Sequence, residues 1–241
     1  MSSPREQEHR SHLLQLAVID PATHRPELDC YNQISLSVDA QTSYHLPALA
    51  GMESLERLER TPPDGIILLG SGASVHDELP WQRPFHRWIY ERALGGVPLL
   101  AICYGHQLLA HLFRGRVELL WEGEKVRGRR SVRISSSRLL PEPLSGPLIV
   151  SHREGVTVAP EGFKVIGVSD AVAIDAIEHE QLPLWGFQPD IEATEDFLRG
   201  NQIPLEAQSC RPAFNLGERL LRAFWTQVEA RAAQGGGRAH L

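Results

Sequence analysis

The sequence predicts an α/β fold, with a mainly parallel central sheet, helices on both of its faces, and a small antiparallel extension. Three observations predict it. Short apolar runs at residues 13–19, 65–69 and 97–102 have the length and composition of strands buried on both faces. Segments with apolar residues at helical spacing alternate with these runs, as crossovers in a parallel sheet require. Beyond residue 117 short apolar runs follow one another with little helix between them, the pattern of an antiparallel addition.

In chain order, residues 1–12 are polar and charged and read as a disordered lead-in. The strand at 13–19 stops at Asp20-Pro21, residues 29–36 are ambiguous, and 44–46 suit a short strand. Met52, Leu55 and Leu58 give 49–60 a helical period, and Pro62-Pro63-Asp64 precedes the strand at 65–69, which ends in the small-residue turn Gly70-Ser71-Gly72. Trp81, Phe85, Trp88 and Ile89 mark a helix over 80–94, closed by Gly95-Gly96, with the strand at 97–102 next. After a helix from 107 to 113, strands are expected at 117–121, 131–134, 148–150, 165–168, 171–177 and 184–187, and a charged loop at 122–130. A short helix at 192–198, an irregular stretch at 201–211 and a long amphipathic helix at 213–232 complete a single domain over 13–232, and residues 233–241 form a flexible tail.

Composition narrows the function classes. A net charge of −6 argues against a general nucleic-acid binder. Arg127, Arg129, Arg130 and Arg133 read as a small basic cluster on a solvated loop and strand edge. Cys30, Cys103 and Cys210 are odd in number and widely spaced, so neither a disulfide framework nor a thiol-ligated metal site is expected, and no cofactor is implied. The amino terminus lacks the apolar core of a signal peptide and no run approaches membrane-spanning length, which makes a cytoplasmic protein without membrane attachment the expectation.

Chemistry concentrates at residues 97–113. A buried strand, a corner at Cys103-Tyr104-Gly105 and a helix make a nucleophile-elbow layout. A corner residue is held at the carboxyl end of its strand, where the next helix aims its N–H groups and positive dipole end, an environment that favours a thiolate. A buried structural cysteine at a strand end is the competing reading. The Gly70-Ser71-Gly72 turn offers free N–H groups for an oxyanion, and residues 186–193 lie late in the chain between a strand and a helix.

Taken together these stretches resemble the class I glutamine amidotransferase family over most of the chain, from the first strand to Ala193. The family's elbow reads Gly-x-Cys-x-Gly-x-Gln, and here it is Ala101-Ile102-Cys103-Tyr104-Gly105-His106-Gln107. The resemblance implies a flavodoxin-like sheet and assigns Cys103 as nucleophile attacking a glutamine side-chain amide. It makes Gly70, Ser71, Gly72 and the Tyr104 N–H an oxyanion hole, and places Gln107, Ser151 and His152 beside the substrate. The family's late motif, Gly-Val-Gln-Phe-His-Pro-Glu, supplies a base and its orienting acid. Here the segment is Gly186-Phe187-Gln188-Pro189-Asp190-Ile191-Glu192, so Glu192 keeps the acid while Asp190 stands where the histidine should be.

An ionised Asp190 would raise the Cys103 pKa rather than lower it. The expectation is a Cys103, Asp190 and Glu192 site acting on an amide, γ-glutamyl or related small substrate with little or no ordinary glutaminase activity. His152 is a candidate substitute base, a structural or substrate-side histidine being the blander reading, and Glu154 reads as a surface carboxylate. Two alternatives stay open: an inactive binding or regulatory module, and a conventional ammonia-supplying subunit with a relocated base. No synthetase segment is recognisable in the sequence, so an ammonia-using partner would act in trans.

Overall fold

In the computed structural model, which describes residues 13–235, the apolar runs become β1 (Gln15–Ile19), β3 (Gly65–Leu68), β4 (Leu99–Ile102) and β11 (Leu184–Phe187). With β2 (Gln41–His45) they form the parallel part of one nine-stranded sheet, in the order β2-β1-β3-β4-β11. The sheet continues antiparallel through β10 (Ala176–His179), β9 (Phe163–Val168), β6 (Val126–Ile134) and β7 (Leu144–His152). A separate antiparallel pair joins β5 (Arg116–Leu119) to β8 (Glu154–Val158). The expected architecture is the observed one. The lead-in at 1–12 and residues 236–241 of the tail lie outside the described residues.

Both faces of the sheet carry a core. One contains Cys30 and Ile34 of α1 (Leu28–Ser37), residues of α6 (Glu195–Gly200), and Leu220, Phe224 and Val228 of α7 (Ala207–Ala233), packed against Leu100, Ile102 and Trp185. The other contains Phe85, Trp88 and Ile89 of α4 (Gln82–Leu94) and Leu108 and Leu109 of α5 (Tyr104–Leu112) against Ile66, Leu68 and Leu99. Strands covered on both sides need apolar residues at every position, which is why β3 and β4 are continuous runs rather than alternating ones. No helix among the described residues is long and apolar enough to cross a membrane.

Several local readings are corrected. The ambiguous residues 29–36 are helical, within α1. The single helix expected at 49–60 is two short ones, α2 (Pro47–Ala50) and α3 (Glu53–Arg57), parted at Gly51, whose φ of 80° an α-helix cannot contain. Residues 122–130 are not all loop: β6 begins at Val126 and pairs with the whole of β7, which hides its arginines' backbone in a ladder while alternate side chains reach solvent. The strand expected at 171–177 is confined to Ala176–His179, because Ser169 and Val172 close a tight turn through two mutual backbone and hydroxyl bonds. β8 has no counterpart in the sequence reading. The last helix begins at Ala207, inside the stretch read as irregular, and runs through Pro212 because Cys210, Ala213 and Leu216 bury on its core side.

Candidate active site

The carboxyl ends of β3, β4 and β11 lie side by side, since Leu68 pairs with Ala101 and Ile102 with Phe187. Cys103 follows β4 directly and precedes α5 with φ 52° and ψ −105°, a backbone conformation a non-glycine residue rarely adopts. Its N–H donates to the Phe187 carbonyl at 2.8 Å, which holds the corner in place. Gly105 is sterically required: a Cβ there would stand 2.7 Å from the Leu68 carbonyl oxygen. The same construction at Gly70 gives a point 3.5 Å from Cys103 Cβ and 3.8 Å from Cys103 Sγ, so the Gly70 backbone faces the thiol.

Around it, Ser71 Oγ donates to the Pro21 carbonyl at 2.8 Å and accepts from the Ala73 N–H at 3.2 Å, which fixes the turn, and Gly72 is exposed at its tip. The Tyr104 ring turns away from Cys103, its hydroxyl meeting His86 Nε2 at 2.8 Å and Gln82 Nε2 at 3.2 Å. Only the Tyr104 backbone N–H, in the first turn of α5 where N–H groups lack helical partners, is left for the site.

Asp190 takes its place through the backbone. Its N–H donates to the Ile149 carbonyl at 2.9 Å, and the Gln188 N–H to the Asp175 carbonyl at 2.8 Å. This sets the carboxylate beside the Cys103 thiol and the Ser151 N–H, both of which act on its pKa. Asp190 Oδ1 stands 3.8 Å from the same Gly70 reference point as Cys103 Sγ. Asp190 and Glu192 are 3% and 2% exposed, and Asp190 Oδ2, Glu192 Oε2 and Ser151 Oγ have no hydrogen-bond partner. Burial pushes the Asp190 carboxyl up to about 7, against the pull of Lys125, the Cys103 thiol and the Ser151 N–H. Burial and then Asp190 raise Glu192 well above the carboxylate range. Burial, Asp190 and Glu192 likewise push the Cys103 thiol well up. At neutral pH Cys103 is a protonated thiol.

His152 is 3% exposed and its ring is fully engaged. Nδ1 donates to the Glu154 carbonyl at 2.8 Å, and Nε2 accepts from both terminal nitrogens of Arg130 at 3.1 Å. Burial and the Arg130 charge lower it to about 4, so it is neutral, and it has no free nitrogen for the Cys103 proton. Arg130 in turn pairs with buried Asp175. The Gln107 amide nitrogen donates to the Glu154 carbonyl at 2.9 Å and to Gln188 Oε1 at 3.1 Å. Glu154 is therefore not a surface carboxylate. It is buried, and its Oε1 accepts from Ser74 Oγ at 2.8 Å, tying β8 to the loop that follows the Gly70–Gly72 turn.

His106, also fully buried, packs against Gly186, where a Cβ would come 2.7 Å from its Nδ1, and burial keeps it neutral with a pKa of about 3. Arg130, Asp175, Glu154 and Lys125 are not marked as site residues by the sequence. Arg130 is not one of a solvated cluster, and only a correct β6–β7 register puts it on the His152 face. Among the described residues, no group of three or more His, Cys, Asp or Glu side chains could hold a metal ion.

The family description "glutamine amidotransferase class-I" matches residues 28–195. A protein of Methanopyrus kandleri, named as one subunit of a glutamine-hydrolyzing GMP synthase, is 39% identical over 141 residues, 56% of this chain and 74% of its own length. A glutamine-hydrolyzing GMP synthase of Clostridium perfringens is 31% identical over 169 residues, 68% of this chain, which spans only 32% of that relative. Among solved structures, a glutamine amidotransferase of Thermotoga maritima superposes with a TM-score of 0.72 at 19% identity, covering 90% of this chain and 98% of that one. PurLQS of Thermotoga maritima gives 0.62 at 16% identity, covering 90% and 99%. At those identities the structural likeness shows the fold.

Proposed function

This chain belongs to the class I glutamine amidotransferase family, and from that premise we propose that it is a cysteine-dependent enzyme whose Cys103 passes its proton to Asp190. Its substrate is an amide, γ-glutamyl or related small compound, and ordinary glutaminase activity is weak or absent. The observation that carries this is the buried Asp190 carboxylate beside the Cys103 thiol, each acting on the other's pKa.

Attack by sulfur on a carbonyl carbon places the developing oxyanion toward the Gly70–Gly72 backbone and the Tyr104 N–H. Asp190, with a pKa near 7, is able to take the thiol proton and return it to the leaving nitrogen. Glu192 lies close enough to Asp190 for the two carboxyls to raise one another's cost of ionising, and Gln107, Ser151 and His152 line the substrate side. An imidazolium leaves a thiolate stabilised, whereas a carboxylate does not, and loss of a triad base costs on the order of 10⁴-fold in rate.

The test is incubation with glutamine and a panel of γ-glutamyl and small amides. Ammonia, glutamate and adducts on Cys103 are measured, the adducts by mass spectrometry. Turnover or an adduct that disappears in Cys103→Ala supports the enzyme; neither with any substrate leaves an inactive binding module. Asp190→His is expected to raise glutaminase activity by at least about a hundred-fold. A well-folded Asp190→His protein without gain would count against the account of the missing base.

The name of the Methanopyrus kandleri relative, a separate glutamine-hydrolyzing chain of a GMP synthase, favours a second reading, in which the chain supplies ammonia to a synthetase partner in trans. Rapid glutamine hydrolysis by the unmodified protein, alone or on addition of such a synthetase, would select it.

A further inference from the structure

Asp190 Oδ2 and Glu192 Oε2 are two buried acceptors without donors, on a site whose nucleophile is a neutral thiol. Asp190 Oδ1 and Cys103 Sγ are equidistant, at 3.8 Å, from the Gly70 reference point. The carboxylate therefore flanks the turn that would face the oxygen of an attacked carbonyl. A neutral amide brings no charge to balance Asp190 in the ionised form that must accept the thiol proton, in a desolvated place where an uncompensated charge is costly. An electrophile that begins as a cation meets the opposite situation. Its N–H groups satisfy the orphaned oxygens, and its charge favours both the ionised carboxylate and the thiolate. Lys125 also acts on Cys103 and Asp190, but from an exposed position where water and salt screen it.

We propose that the substrate is a cationic amidine or guanidine, its N–H groups held by Asp190 and Glu192 while Cys103 attacks the central carbon. This rests on the reading of Cys103 as the nucleophile and narrows its substrate class. The Cys103 proton passes to Asp190, the sulfur lone pair forms the S–C bond, and the C=N π pair moves onto nitrogen, discharging the cation. Asp190 returns the proton to the departing nitrogen, the C–N bond breaks and ammonia or an amine leaves, giving a cationic S-linked thioimidate. Water adds to its carbon, and loss of the Cys103 thiol and one proton yields an amide or a urea. The oxidation states do not change. The Asp190 and Glu192 carboxyl pair thus does what an imidazolium would do elsewhere, by recruiting a cation with the substrate rather than supplying one.

Two alkylating reagents of nearly identical shape test it: 2-chloroacetamidine, a cation, and 2-chloroacetamide, neutral. Rates of Cys103 labelling are followed by mass spectrometry, each divided by the rate with free cysteine at the same pH. The expected result is a preference for the amidine of at least about ten-fold. Asp190→Asn, which keeps the shape, should lower that preference toward one, whatever the loss of the proton acceptor does to the two absolute rates. Equal labelling by both reagents, or a preference unchanged in a folded Asp190→Asn protein, would overturn the cationic substrate and leave the nucleophile standing. If neither reagent labels Cys103 in protein with a cooperative melt, the nucleophile reading fails and the cationic substrate fails with it.

Discussion

Glu178 and Asp190 are buried carboxylates at opposite ends of β11, and the protein treats them in opposite ways. Glu178 belongs to β10 and sits beside the start of β11, opposite Trp185 in the β10–β11 ladder. It accepts from Trp185 Nε1 at 2.7 Å and the Arg138 N–H at 2.9 Å, and pairs with Lys164 at 3.0 Å and Arg138 at 3.5 Å. Burial alone would raise its pKa, but Lys164, Trp185 and Arg138 together bring it below the ordinary value. Asp190, beyond the other end, has a thiol, one backbone N–H and an orphaned oxygen, and its pKa rises to about 7. The same sheet neutralises one carboxylate with cations and leaves the other against the Cys103 thiol. A buried carboxylate without a cation against it is costly, so a persistent one marks a place where something other than stability is served.

The largest expected effect comes from turning a third carboxylate into a likeness of Asp190. Arg130→Met removes the buried cation from Asp175 and should destabilise the protein by about 3–5 kcal/mol in urea unfolding at pH 7. A loss below about 1 kcal/mol would mean that Asp175 is already protonated, burial having raised its pKa.

The contrast in sign comes next. A carboxyl with a raised folded pKa gives stability that is fully present below its unfolded pKa and lost as pH rises through the folded value. For Asp190 that window runs from 3.8 to about 7. Asp190→Asn should therefore stabilise by about 4 kcal/mol at pH 8 and by almost nothing at pH 3.5. Glu178, lowered, behaves the other way, its stability present above 4.5 and lost as pH falls through the folded value. Glu178→Gln should cost about 1–2 kcal/mol at pH 7, discounted because Lys164 and Arg138 are 46% and 38% exposed, and less below pH 4. Melting curves of both variants across pH read the two slopes, and slopes of the same sign would break the comparison.

The smallest effect is the control. The Arg222–Glu218 pair on α7 is exposed at 61% and 36%, and Arg222→Ala should change stability by no more than about 0.5 kcal/mol at any pH above 5.

How much of this is legible in the chain differs by element. β1, β3, β4 and β11 are plain because strands buried on both faces must be apolar at successive positions. α4 and the body of α7 are plain because their apolar residues recur at helical spacing. Only half of β6 is legible, since Arg127, Arg129 and Arg130 look like loop until a partner strand is known. The helix at 29–36 is ambiguous because Cys30 and Ile34 alone carry its buried face.

Local chemistry set by covalent order is available without any structure: the elbow at Cys103, the small residue at Gly105, and the carboxylates Asp190 and Glu192 in the segment after the last sheet strand. Such features depend on residues a few positions apart. Partnership across the sheet is not available. His152 is spent on Arg130 and the Glu154 carbonyl, Glu154 is buried against Ser74, 80 residues away, and Asp190 meets Cys103 with one oxygen left over. Hydrogen bonds of that kind are chosen by strand register and burial, which only the folded chain fixes.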